Sequence, residues 1–135
     1  MAEPNALTIY ERIGGAEAIK QLVKRFYEKV QKQPLLAPLF PVDIEPVRDK
    51  QILFLTQFFG GPMVYSDLYG HPMMRARHMP FPITSERADA WLQCMSEALA
   101  GIDIDEHLQA AILERLKGTA YHFINTTNGE GVILG

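Results

Sequence analysis

An all-α fold in one domain is what this sequence predicts, on three observations. Apolar residues recur at spacings of three and four along several long stretches, the pattern of amphipathic helices. The nine prolines, apart from Pro4, fall in two zones, Pro34 to Pro46 and Pro62 to Pro82, and leave the helical stretches uninterrupted. No stretch shows the apolar–polar alternation of a half-buried strand, and there is no internal repeat or low-complexity tract.

Thr8-Ile9-Tyr10-Glu11 has the spacing of a capping box, so a short helix is predicted from Thr8, ended by Gly14-Gly15. The next helix is predicted over 16–33, with Ile19, Leu22, Val23, Phe26, Tyr27 and Val30 on one face and Pro34 as its stop. Pro46 suits the first turn of a third helix, where its missing N–H costs nothing. Val47, Gln51, Phe54, Leu55 and Phe58 form its stripe, and Gly60-Gly61-Pro62 ends it. Thr84 or Ser85 caps a fourth helix with the stripe Ala88, Trp91, Leu92, Met95 and Leu99, closed by Gly101. Asp103 or Asp105 opens the last, whose buried face is Leu108, Ile112, Leu116, Ala120, Phe123 and Ile124. Between the third and fourth helices, Pro62 to Ile83 reads as irregular chain. Such long segments are uncommon in compact domains and tend to be functional. Met73, Met74, Met79 and Phe81 make this one too apolar for a disordered linker.

The chain has 135 residues, enough for a real core in one domain over 1–135, with its body at about 8–126 and a loose tail at 127–135. A 47% hydrophobic share and a 21% charged share argue against disorder. The net charge of −3 gives no electrostatic footprint for nucleic acid, and no apolar run is long enough for a membrane span. The N-terminal residues lack the basic and apolar regions of a secretory signal, and the single cysteine, Cys94, has no internal disulfide partner. Both lead to the expectation of a cytoplasmic protein. There is no CxxC motif, no P-loop and no readable nucleophile–base pattern.

His78 is the leading candidate for chemistry. It lies in Arg75-Ala76-Arg77-His78-Met79-Pro80-Phe81. A haem needs a neutral imidazole as axial ligand, an apolar slot and cations for its propionates, and this run offers all three side by side. The bland alternative is a surface histidine in a basic turn. His71 reads as a turn residue, His107 as solvated, and His122 as a donor to open helix carbonyls. A zinc site from His71 and His78 lacks a compact set of further ligands. Gln51 and Tyr27 put polar tips on apolar faces, and Trp91 brings an indole N–H to the middle of a stripe. Each is explained by core packing if taken singly, but three buried polar tips on three helices also suit donors to a bound ligand. Cys94 reads as an inert buried thiol.

At these residues the sequence resembles the group II truncated haemoglobins. The resemblance runs from about Thr8 to Asn125 and includes Gly14-Gly15, Phe26-Tyr27, Phe40-Pro41, Gly60 to Tyr65, Gly70-His71-Pro72-Met73, Arg75 to Phe81 and Ala90 to Met95. Its most specific part is the Arg-Xaa-Arg-His run with a tryptophan thirteen residues later. It implies a two-over-two helical sandwich around a non-covalent haem b. His78 then aligns with the proximal iron ligand, Tyr27 with the distal tyrosine, and Trp91 with the tryptophan characteristic of the group. Gln51 falls at a ligand-facing position, and Val47 at the gate one turn earlier. Phe40 packs on the haem, with Phe54, Met79 and Phe81 as further pocket residues, and Arg77, then Lys50 and Arg75, as propionate partners. Some members carry tyrosine at the position of Phe40, and Val47 provides no distal histidine, so ligand stabilisation rests on Trp91, Tyr27 and Gln51.

The function implied is reversible, slow-releasing binding of dioxygen. Carbon monoxide, nitric oxide and peroxide are further small ligands, a reductase is the protein partner to consider, and neither nucleic acid nor membrane is expected. One alternative is a redox enzyme using peroxide or nitric oxide on the same haem, with minor peroxidase or nitric oxide dioxygenase activity. The other is a haem-free helical interaction module, which would leave His78, Gln51 and Tyr27 without a common purpose.

Overall fold

The computed structural model describes residues 7–70 and 82–125, all in helices and their connections. Helix α1 spans Ile9–Ile13. Its predicted capping box is present: Glu11 N–H donates to Thr8 Oγ1 at 3.1 Å, and Thr8 N–H donates back to the Glu11 carboxylate at 3.1 Å. Only the first glycine of the Gly14-Gly15 pair ends α1. Gly14 has a φ of 118°, a conformation that strains any residue with a Cβ, and Gly15 is already the first residue of the next helix.

Helix α2 spans Gly15–Val30 and buries all six residues of its predicted face. It stops before the expected 33, because Pro34 disfavours helical backbone at the residue ahead of it. A 3₁₀ turn at Ala37–Leu39 leads to α3, Glu45–Phe58, with Pro46 in its first turn. The segment from Pro62 to Ile83 is not wholly irregular, since Val64–Tyr69 forms helix α4. So short a helix, between Pro62 and Gly70, has no room to show a period. Buried Tyr65 packs α4 inward, and a polar pair ties it to α3: Gln57 Nε2 donates to Ser66 Oγ at 2.8 Å, and Ser66 N–H donates to Gln57 Oε1 at 2.9 Å.

Helix α5, Ser85–Ala100, is capped by Thr84, and α6, Glu106–His122, by Asp105. Arg87 N–H donates to Thr84 Oγ1 at 3.0 Å and Leu108 N–H to Asp105 Oδ1 at 2.7 Å. Helices α2 and α3 form one packed pair and α5 and α6 the other, with α2 also packed on α5. This is the two-over-two arrangement expected.

The buried set differs from expectation on two helices. On α5, Ala88, Met95 and Leu99 are buried as predicted, but so are Ala90, Cys94 and Ala98, while Trp91 and Leu92 are only partly buried. The helix packs against α2 on one side and α6 on the other, so it buries more than the single stripe predicted. On α3, Leu55 and Thr56 are buried, whereas Val47, Gln51, Phe54 and Phe58 are partly exposed. Thr56 is satisfied by donating to the Ile52 carbonyl at 2.7 Å. On α6, Leu108, Ile112, Leu116 and Ala120 are buried as predicted, and Phe123 and Ile124 follow the helix half-buried. Among the described residues no helix is long and apolar enough to cross a membrane. The expected tail at 127–135 lies outside the described residues.

Ile112 has no exposure and stands apart from the cavity between the helix pairs. Ile112→Ala is expected to cost about 2–5 kcal/mol of unfolding free energy in a denaturant titration. A loss below about 1 kcal/mol would contradict close packing of α6 at this residue.

Candidate ligand pocket

A cavity of about 470 Å³ opens between the two helix pairs. Tyr27 lines it from α2, and Leu36, Leu39, Phe40 and Pro41 from the turn that follows. Helix α3 contributes Val47, Lys50, Gln51 and Phe54, one side of the helix at spacings of three and four. This explains their partial exposure: they face a void, not the close-packed core. Tyr65 comes from α4. Ile83, Arg87, Ala88 and Trp91 line the cavity from α5 and its approach. Leu116, Thr119, Ala120 and Phe123 close it from α6 and the residue after it.

One buried ring organises the polar side of this space. Phe26 is completely buried and meets Tyr27 edge-on at 4.9 Å and Trp91 edge-on at 5.0 Å. Tyr27 in turn meets Phe40 edge-on at 5.7 Å. Edge-to-face contacts are the favoured geometry for such rings, and they fix the side chains in which they occur. A second set braces the wall formed by α3 and α4: Phe54 stacks on Phe58 at 5.4 Å and meets Tyr65 edge-on at 5.9 Å.

Among the described residues the Tyr27 hydroxyl, the Gln51 amide and the Trp91 indole N–H form no hydrogen bond. None is sealed away without a partner either, so each opens onto the cavity. An apolar space carrying three unused donors from three helices has the chemistry of a candidate ligand site, because buried donors are otherwise paired. Two cations border it. Lys50 is exposed, with its ammonium 5.2 Å from the centre of the Tyr69 ring. Arg87 is partly buried.

The structure thus brings together Tyr27, Phe40, Val47, Lys50, Gln51, Phe54 and Trp91. Arg75, Arg77, His78, Met79 and Phe81 lie outside the described residues, as does His71. His107 and His122 are exposed on α6 and do not line the cavity. Among the described residues there is no cluster of three or more His, Cys, Asp or Glu able to hold a metal. Sequence reasoning misses Tyr65, Arg87 and Thr119. Arg87 stands one turn before Trp91 on the same helix. Thr119 follows Leu116 by three.

Burial pushes the Tyr27 phenol well above its ordinary value, because the phenolate would lose its hydration. The hydroxyl therefore stays protonated, and it stays a donor. The raised value also links to stability. Its contribution is fully present below the unfolded tyrosine value of about 10 and is lost as pH rises beyond it, since the unfolded chain releases that proton first. Tyr27→Phe is expected to flatten the alkaline loss of stability in denaturation curves taken above about pH 10. An alkaline limb identical to that of the parent protein would show that the phenol is hydrated in the folded state.

The comparisons with known proteins agree with this geometry. A family model described as bacterial-like globin matches residues 8–125. A group 2 truncated hemoglobin of Bacillus subtilis is 50% identical over 121 residues, covering 90% of this chain and 91% of that protein. The crystal structure of a group II truncated hemoglobin from Bacillus anthracis has a TM-score of 0.90 at 46% identity, covering 94% of this chain and 98% of that one. A truncated oxygen-avid haemoglobin from Bacillus subtilis has a TM-score of 0.84 at 49% identity, covering 88% and 100%. With its two helix pairs and the cavity between them, the chain belongs to the bacterial-like globins as a group II truncated haemoglobin, in a family whose cofactor is haem and whose ligands are diatomic gases.

Proposed function

We propose that this chain holds a haem b through His78 and binds dioxygen reversibly with slow release. The observation that carries the reading is the meeting of three unused donors, Tyr27, Gln51 and Trp91, on one apolar cavity. The residues present fit the group. The cavity volume lies within the range of about 300–1,000 Å³ usual for cofactor sites. Its lining is mostly aliphatic and aromatic, as a porphyrin requires, and Lys50 stands at it ready for a propionate. A haem supplies a ferrous iron with one open position for a diatomic gas.

His78 is assigned to the other iron position on the resemblance of its Arg-Xaa-Arg-His run, with Arg77 and Arg75 beside it as propionate partners and Met79 and Phe81 as apolar contacts. Tyr27, Gln51 and Trp91 offer N–H and O–H groups to a polarised diatomic ligand. Held by packing in a water-poor space, such donors interact more strongly than they would in water. Val47 and Phe40 add bulk but no donor, so the polar work falls to those three. The Bacillus subtilis relative is oxygen-avid, which supports dioxygen over nitric oxide or peroxide as the ligand. A reductase would keep the iron ferrous. The buried free thiol of Cys94 suits the cytoplasm, where thiols stay reduced.

The first test is optical. The loaded protein is expected to show a Soret band that shifts with carbon monoxide, and His78→Ala is expected to lose stable haem, while His107→Ala and His122→Ala keep it. A His78→Ala protein with full, five-coordinate ferrous haem would overturn the ligand assignment.

The second test is kinetic. Trp91→Phe keeps most of the apolar volume and removes the N–H. Stopped-flow dioxygen release is expected to accelerate about tenfold or more, the scale of one ligand hydrogen bond of about 1–3 kcal/mol. Carbon monoxide release is expected to change less. Equal acceleration of both gases would indicate altered packing and remove Trp91 from the donor set.

A further inference from the structure

The peptide at Pro82-Ile83 is held from two sides by side chains far apart in sequence. Arg87 donates from Nη1 to the Pro82 carbonyl at 2.6 Å and from Nε to the Leu35 carbonyl at 2.9 Å. Ile83 N–H donates to Asn125 Oδ1 at 2.9 Å, and Asn125 N–H donates to the Ile83 carbonyl at 2.9 Å. The partners are 52 residues apart for Arg87 and Leu35, and 42 for Ile83 and Asn125. The bond to Leu35 and the pair between Ile83 and Asn125 are tertiary closures, not helix caps.

All of them join chain that lines the cavity or directly adjoins its lining. Leu35 directly precedes Leu36, which lines the cavity along with the turn that follows. Ile83 lines it, Arg87 lines it, and Asn125 stands two residues beyond Phe123, which lines it too. Three separate stretches of wall are therefore tied at one point. None of the ion pairs among the described residues uses Arg87, so its charge is spent on main-chain carbonyls. A guanidinium suits that role, because two of its N–H groups reach two acceptors in a fixed fork, which a single ammonium cannot copy.

We infer that Arg87 and Asn125 are positioning residues for the bound group: by clamping Pro82-Ile83 to the turn after α2 and to the chain after α6, they hold the cavity wall in place and set how long the haem is retained. The inference rests on the haem reading above. Neither residue needs to touch the haem for this role. Arg87 fixes where two walls meet, and Asn125 fixes the third.

The test uses the haem-loaded protein and four variants, Arg87→Ala, Arg87→Lys, Asn125→Ala and Asp105→Ala. The last removes the α6 cap away from the cavity and serves as a destabilised control. Haem transfer to apomyoglobin is timed, and the ferrous iron–histidine stretch is recorded by resonance Raman. Arg87→Ala is expected to transfer haem about tenfold faster, the scale of a lost charge-assisted hydrogen bond, with a shifted stretch. Arg87→Lys is expected to behave like Arg87→Ala, and Asn125→Ala to fall between, since its main-chain bond survives. Asp105→Ala is expected to lose stability yet transfer haem at the parent rate.

Transfer from Arg87→Ala and Asn125→Ala no faster than from Asp105→Ala, an unshifted stretch, or full rescue by lysine would overturn the clamp. Should Arg87→Ala fail to fold, Arg87→Lys and Asn125→Ala carry the same comparison. A parent protein that takes up no haem would sink the proposed function and this inference with it. A parent that loads normally, with variants indistinguishable from it, would sink the clamp alone.

Discussion

Phe26 has no solvent exposure, and its ring meets Tyr27 at 4.9 Å and Trp91 at 5.0 Å. Adjacent residues on a helix point about 100° apart, so Phe26 can sit in the core while Tyr27 turns toward the cavity. Trp91 comes from the helix on the other side of the same ring. The consequence is that two donors on different helices are held by one packing contact, with neither able to turn back into the core without displacing Phe26. Donors fixed in this way before a ligand arrives are worth more than mobile ones, because no ordering remains to be done when the ligand binds. The rest of the cavity depends on that contact: it joins the two helix pairs, and Gln51 enters the same space from α3.

How much of this is legible in the sequence varies by element. The buried face of α2 is wholly legible, because six large apolar residues recur at helical spacing and the helix buries one broad face. The caps at Thr8, Thr84 and Asp105 are legible because capping needs particular side chains at particular offsets. The face of α5 is legible only in part. It packs on two neighbours, and the additional buried residues Ala90, Cys94 and Ala98 have small side chains that hardly register in a hydrophobic pattern. Helix α4 escapes a sequence reading because it is short: one buried side chain, Tyr65, and the polar pair Gln57 and Ser66 anchor it, and neither makes a period.

The cavity is legible where polarity breaks an apolar pattern. Tyr27, Gln51 and Trp91 each put a polar tip on an otherwise apolar stripe, and all three line the cavity. Arg87 gives no such signal. An arginine in the first turn of a helix reads as a solvated charge, and only the carbonyl it reaches, 52 residues earlier, shows otherwise. Among the described residues lining the cavity there is no histidine or carboxylate to pass protons near neutral pH. Burial keeps the Tyr27 phenol at that cavity protonated.

The central claim is that one cavity seats the haem with Tyr27, Gln51 and Trp91 facing its ligand. A crystal structure of the haem-loaded protein with a diatomic ligand tests it most directly. Expected are a haem between the two helix pairs, His78 on the iron, and the Tyr27 hydroxyl and Trp91 N–H within hydrogen-bond reach of the ligand, at about 3 Å. A haem seated elsewhere, an iron held by another residue, or both donors turned away from the ligand would contradict it.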